Sequence, residues 1–254
     1  MTAEEIIRIQ NAKQAIKEAI REKYVEVDDS LPIDAYADLI RQIKVYEKYV
    51  WNDSATLRYH NATRLPDMDF TGVSNCTDKF RDMPFLTQIG SIDTSSVTNM
   101  ANMFSGCSSL AAIPALDTSS VTNMAYMFQG CSSLAAIPAL DTSSVTNMTY
   151  MFQGCSSLER IELLDMINVA PSTGLNHTYT FGELPSLRYL RMKNLKGSIT
   201  LAASSLLDRE SVLYLFNNMQ TVTGQSVKFH PDVKDRITDD DIAIATAKGY
   251  SILF

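Results

Sequence analysis

Asp69, Asp93, Asp117, Asp141 and Asp165 follow one another at intervals of 24 residues. Evenly spaced carboxylates suggest two kinds of chemistry. Stacked about 5 Å apart, as adjacent strands are, they repel by roughly 1 kcal/mol or more per pair at surface dielectric, so something must compensate. A calcium ladder would supply cations, although the glycine-rich repeat of calcium-binding rolls is missing. Neighbouring Ser and Thr hydroxyls and backbone N–H groups would instead satisfy each carboxylate locally, as a turn cap. Turn-capping is the leading reading and the cation ladder the other.

Cys107, Cys131 and Cys155 share a second column, with Cys76 apart from it. No closely spaced cysteine pair or nearby histidine completes a zinc set. Parallel side chains on stacked copies point the wrong way for a disulfide, so a buried free-thiol row is expected. His60, His177 and His230 do not recur with the period and have no metal-ligand spacing. The chain has no nucleophile elbow, dinucleotide fingerprint or phosphate loop, so no catalytic, cofactor or metal residues are assigned. Tyr126 and Tyr150 occupy one variable position, on the outer face of an expected helical turn. They read either as binding anchors or as ordinary exposed aromatics. With Gln129, Gln153 and Asn102 they form the candidate binding surface. The Ser95/Ser96, Thr98 and Ser108/Ser109 columns read as turn linings or as a hydroxyl-rich contact face.

These columns exist because one word is written three times: DTSSVTNMANMFSGCSSL at 93–110, DTSSVTNMAYMFQGCSSL at 117–134 and DTSSVTNMTYMFQGCSSL at 141–158. A fixed period of this length means one supersecondary unit stacked on copies of itself. Within a copy, Val97, Met100, Met103, Phe104, Cys107 and Leu110 recur at spacings of three and four, which predicts a short helix with one buried stripe. Asp93–Ser96 suit a turn and N-cap ahead of it, and Gly106 suits its stop. Leu110, Ile113 and Leu116 then face inward from a short extended segment that Pro114 limits. A worn copy begins near Leu65, and the register persists to Val169. An insertion at about 170–183 precedes one or two irregular coils carrying Leu184, Leu187, Leu190, Met192 and Leu195. Residues 3–22 read as an amphipathic helix and residues 33–44 as a second helix after Pro32. Towards the end, helices are expected over 208–219 and from Ile242, and strands over 226–230 and 250–254.

Net charge is −7, yet between Ser91 and Leu158 the only charged side chains are Asp93, Asp117 and Asp141. A repeat surface without cations cannot neutralise phosphates, which argues against nucleic acid and an anionic membrane surface. No run reaches the ~18 apolar residues of a membrane span, and the N-terminus reads as a helix rather than a signal peptide.

The string DTSSVTNMxxMFxGCSSL resembles the repeat of the BspA-like leucine-rich repeat family, in the form found in mycoplasma surface lipoproteins. The resemblance covers about residues 65–169. The chain departs from it after Ser-Leu, where AAIPAL replaces a longer leucine-rich strand. The segments IQNAKQAIKEAI and ITDDDIAIATAKGYSI resemble flanks of such repeats in gut Bacteroidales and their prophages. The resemblance implies a cell-surface or extracellular protein that attaches to host matrix proteins or other cells, and it carries over no ligand-binding residue.

The expected fold class is α/β: a leucine-rich-repeat-type right-handed solenoid with a helical N-terminal segment and an α/β C-terminal cap. Its divisions are the helical segment (1–48), a linker (49–64), the solenoid (65–200, with clear repeats at 93–158) and the cap (201–254). The expected role is a non-enzymatic surface-displayed binding or adhesion module whose partner is a protein or glycan, not nucleic acid or a membrane interior. The alternative is a virion-associated phage or prophage tail protein.

Overall fold

A computed structural model describes residues 63–65, 67–169 and 178–254, together with the backbone of one strand, β1 (Lys48–Val50). The chain divides into two compact units, Met1–Tyr49 and Val50–Phe254. The helices expected over 3–22 and 33–44 lie outside the described residues, as does most of the insertion at 170–183.

Within the second unit, successive copies lie parallel and in register. Strands β2 (Arg64–Leu65) and β4 (Gln88–Ile89) pair Arg64 with Gln88, and β3 (Asp67–Asp69) and β5 (Ile92–Asp93) pair Asp69 with Asp93. The bridges Asn75–Asn99, Asn99–Asn123 and Asn123–Asn147 carry the same step. Strand β6 (Ala136–Ile137) pairs Ile137 with Ile161 of β7 (Arg160–Asp165). Identical sequences place identical side chains on identical backbone, so every column of the sequence becomes a row in space. Phe80, Phe104, Phe128 and Phe152 are fully buried, and their neighbouring rings stack at 5.4, 5.8 and 6.0 Å.

The segment expected to be a helical turn is not helical. Met103, Ser105 and Cys107 donate their N–H groups three residues back, to Met100, Asn102 and Phe104. The alternate donors Met100, Asn102, Phe104 and Gly106 reach out of the copy to the carbonyls of Asn123, Ala125, Met127 and Gln129, at 2.7–2.9 Å. An α-helix would keep these donors within its own copy. Here half of them become the ladder that joins copies. Consecutive β-turns advance the chain three or four residues at a time, so their buried positions imitate a helical stripe. Residue 102 is left-handed (φ 56°), as is Gly106 (φ 78°), which also rules out a continuous right-handed helix.

Past the third clear copy the step lengthens. Arg160 and Ile161 pair with Tyr189 and Leu190 of β8 (Tyr189–Lys193), a separation of 29 residues, and a register shift then brings Asp165 opposite Lys193, a separation of 28. Phe181, at the end of the short helix α1 (Thr178–Phe181), takes the next rung of the phenylalanine stack, 6.2 Å from Phe152. The inserted residues therefore leave the core row unbroken. Strands β9 (Ile199–Leu201), β10 (Gln225–Phe229) and β11 (Tyr250–Leu253) form a further parallel sheet in the order β11-β10-β9.

Helix α2 (Arg209–Asn218) starts where Asp208 accepts the Ser211 N–H at 2.7 Å, and it buries Val212, Leu215 and Phe216. Helix α3 (Asp239–Thr246) begins with a capping box between Thr238 and Asp241. The same Asp241 takes a two-pronged bond from Arg209 of α2, at 2.8 and 3.0 Å, which ties the two helices together. The Tyr250 hydroxyl donates to the Leu195 carbonyl at 2.8 Å, and burial pushes its pKa up to about 12. Among the described residues, no helix is long and apolar enough to cross a membrane.

Candidate functional site

The five candidate surface residues fall on two adjacent columns of one turn. Asn102, Tyr126 and Tyr150 open the turn, and Ser105, Gln129 and Gln153 close it. The closing N–H groups donate back to the opening carbonyls at 3.0, 3.1 and 3.2 Å. The Tyr126 and Tyr150 rings stack at 5.1 Å with 16° between their planes. The Gln129 amide donates to the Gln153 carbonyl oxygen at 2.8 Å. A paired aromatic row thus runs beside an amide row on a half-exposed ridge.

The backbone beneath this ridge is left-handed in every copy: Asp78, Asn102, Tyr126 and Tyr150 all have φ between 55° and 58°. Asp and Asn tolerate that region because their short polar side chains bond locally, whereas a bulky residue there is an outlier costing roughly 1–2 kcal/mol. Two of the four copies therefore carry a tyrosine where the backbone favours a small polar residue.

The aspartate row lies on another turn. Each Oδ1 of Asp93, Asp117 and Asp141 accepts both the N–H and the hydroxyl of the serine two residues on, at 2.6–3.1 Å. At Asp117 and Asp141 the serine hydroxyl bond, then the serine N–H bond, holds the carboxyl below its ordinary range, outweighing repulsion from neighbouring aspartates. The row ends on a cation. Lys193 stands 3.0 Å from Asp165, and Asn194 donates to the same carboxylate at 2.7 Å. Burial opposes ionisation of Asp165, yet Asn194, Lys193 and the Ile167 N–H together depress its pKa. Buried hydroxyls of Thr94, Thr118 and Thr142 stitch each turn to the carbonyl of the next aspartate, at 2.8–3.1 Å. Turn capping accounts for these contacts. Among the described residues, no cluster of three or more His, Cys, Asp or Glu side chains could hold a metal ion.

Depressed carboxyl pKa values have a definite consequence for stability. On acidification the unfolded chain takes up protons before the folded one, so the contribution is full above the unfolded value near 3.9 and is lost as pH falls through the folded values. The urea midpoint is expected to stay level from pH 7 to 5 and to decline below about pH 4. A rise on acidification would mean that repulsion along the row outweighs its caps.

The thiol row is buried. The Sγ atoms of Cys107, Cys131 and Cys155 lie 3.0–3.1 Å from the carbonyl oxygens of Phe80, Phe104 and Phe128 in the preceding copy. His230 serves as an N-cap, its Nδ1 accepting the Asp232 N–H at 3.2 Å. His60 and His177 lie outside the described residues.

One surface cluster escaped the reading of the sequence. On β7, β8 and α2, the Arg160 guanidinium lies 3.8 Å from the Tyr189 ring centre, and Arg191 lies between Tyr189 and Tyr214 at 5.4 and 5.1 Å. Glu162 pairs with Arg160, and Glu210 with Arg191. No 24-residue periodicity links these residues, because they meet across the lengthened step.

These features define a protein of parallel, in-register repeats with a half-exposed ridge of aromatic and amide side chains. Residues 61–181, just under half of the chain, match the family model described as Mycoplasma protein of unknown function, DUF285. This is a repeat-type family, and the match is compatible with a bacterial repeat protein. No curated protein and no solved structure matches the chain.

Proposed function

We propose that the chain is a non-enzymatic binding or adhesion module for display on a cell surface, built as a leucine-rich-repeat-type right-handed solenoid of the BspA-like kind. Its rigid repeat face would contact a protein or a glycan. One observation carries this reading. From the aspartate through Ser-Ser-Leu, the three clear copies differ only at 101/125/149, 102/126/150 and 105/129/153, and the last two of these columns form the ridge. The larger changes, Asn to Tyr at 102/126/150 and Ser to Gln at 105/129/153, place bulky polar side chains on a half-exposed edge, whereas Ala101 and Ala125 of the third column are buried, as expected where the frame is structural and the edge makes contact. The left-handed tyrosines support the same view, since a backbone outlier retained despite its cost points to a role for its side chain. Tyrosine brings a large, rigid contact area at low entropic cost.

The test separates fold from function. Replacing Tyr126 and Tyr150 together by Asn removes a ring pair worth about 0.5–1.5 kcal/mol and relieves left-handed strain of roughly 1–2 kcal/mol per residue. Stability is therefore expected to stay level or rise slightly. Adherence of the purified chain to immobilised matrix proteins or to a glycan array is expected to drop more than tenfold. If the double variant adheres as the wild type does, the ridge is not the contact face.

A further inference from the structure

We propose that the ridge, read as above as a contact face, contains a notch at Asn102 that receives one pyranose ring of a neutral saccharide, in the place of an aromatic rung missing from the tyrosine stack. The first column of the ridge runs Asp78, Asn102, Tyr126, Tyr150, and the second runs Arg81, Ser105, Gln129, Gln153. Their backbones are equivalent: Asp78, Asn102 and Tyr126 donate their N–H groups to Ala101, Ala125 and Thr149 of the next copy, at 2.9–3.1 Å. Side-chain size falls at Asn102 and Ser105 and rises again at Arg81. Asn102 thereby leaves a step one rung deep in the first column, between copies about 10 Å apart, two strand spacings, while Ser105 beside it is buried.

The walls differ in chemistry. One is the face of the Tyr126 ring turned away from Tyr150. Because the tyrosines stack at 5.1 Å, a ring lying at the level of Asn102 meets Tyr126 at a similar distance. The other wall is the half-exposed Arg81, which is 3.2 Å from Asp78 and 3.4 Å from Asp82. The Asp82 carboxylate leans over Gly106, where an added Cβ would lie 2.5 Å from its Oδ1. The floor carries the Asn102 carboxamide, which offers both donor and acceptor atoms.

A pyranose has C–H groups on its faces and hydroxyls around its rim. It can lay one face on Tyr126 while its hydroxyls meet the Asn102 amide and the Asp78 carboxylate. An aromatic side chain from a protein partner would instead desolvate the amide and the ion pair without replacing their hydrogen bonds, which is unfavourable. Arg81 is balanced by two carboxylates, so the notch favours a neutral sugar over an anionic one.

The experiment is saturation-transfer NMR on the full chain with free neutral hexoses and N-acetylhexosamines. Transfer to sugar ring protons is expected with the wild type. It is expected to fall more than tenfold in N102Y, which fills the gap, and in Y126N, which removes the platform. N102Y should fold normally, since the same backbone already carries tyrosine at 126 and 150. Y150N, on the far side of Tyr126, should retain binding within about threefold. Absence of transfer with every sugar, or full transfer with N102Y, overturns the notch. If that happens while the Tyr126/Tyr150 double variant still loses adherence to matrix proteins, the contact face stands and only the saccharide assignment falls.

Discussion

Phe128→Ala is expected to destabilise the protein by about 3–5 kcal/mol, the range for removing a buried aromatic ring from a core. The ring is fully buried and stacks on Phe104 at 5.8 Å and on Phe152 at 6.0 Å. Its loss removes contacts with both neighbouring copies, so the cavity sits where three copies meet. Neighbours held by the inter-copy ladder have little freedom to collapse into it. The control is Phe85→Ala, at a side chain 56% exposed, which is expected to change stability by no more than about 0.5 kcal/mol. Urea unfolding of both variants checks the pair. A loss below about 1 kcal/mol at Phe128 would mean that the inner and outer faces of the copy are reversed.

Thiol-labelling kinetics are expected to show an effect of at least ~1,000-fold between folded and unfolded chain. All four cysteines are buried thiols outside any disulfide. Burial pushes the Cys107 and Cys155 thiols up to about 12, and raises Cys131 further in the same direction. The reactive form is the thiolate, so at pH 8 burial lowers its population about a thousandfold for each three-unit rise. Access adds to this, because a thiol at the centre of the stack is reached only by opening it. Labelling with an aromatic disulfide at pH 8 should therefore be slow in buffer and rapid in 6 M guanidinium. Fast labelling of Cys131 in the native protein would contradict the packing of the stack. C131A should remove one of the four labelling events.

Repetition made much of this molecule legible before its coordinates. When three copies share a word, a residue type seen at one position reports on three environments at once, so Phe104, Phe128 and Phe152 could be assigned inward together. The aspartate caps were legible for a local reason: the serine that satisfies each carboxylate is only two residues away. The same locality misled at Val97–Leu110. A buried spacing of three and four fits a helix and a chain of β-turns equally well, and the deciding bonds run to the next copy.

Distance along the chain set the limit elsewhere. Phe181 continues the phenylalanine row after a step of 29 residues, and no period of 24 could have found it. Arg160, Tyr189, Arg191 and Tyr214 likewise converge only through the displaced register of β7 and β8. The left-handed backbone at Tyr126 and Tyr150 was also hidden, since tyrosine is a residue from which that conformation is not expected.

By itself the sequence determined the period, the buried columns, the capped turns and the absence of catalytic motifs, because each depends on neighbours or on exact repetition. Only the tertiary structure decided that copies are joined by every second N–H, that Tyr126 and Tyr150 stack beside an amide row, and that Phe181 continues the phenylalanine row. Those features depend on how the backbone of one copy lies against the next, a geometry set by hydrogen bonds between residues far apart in the chain.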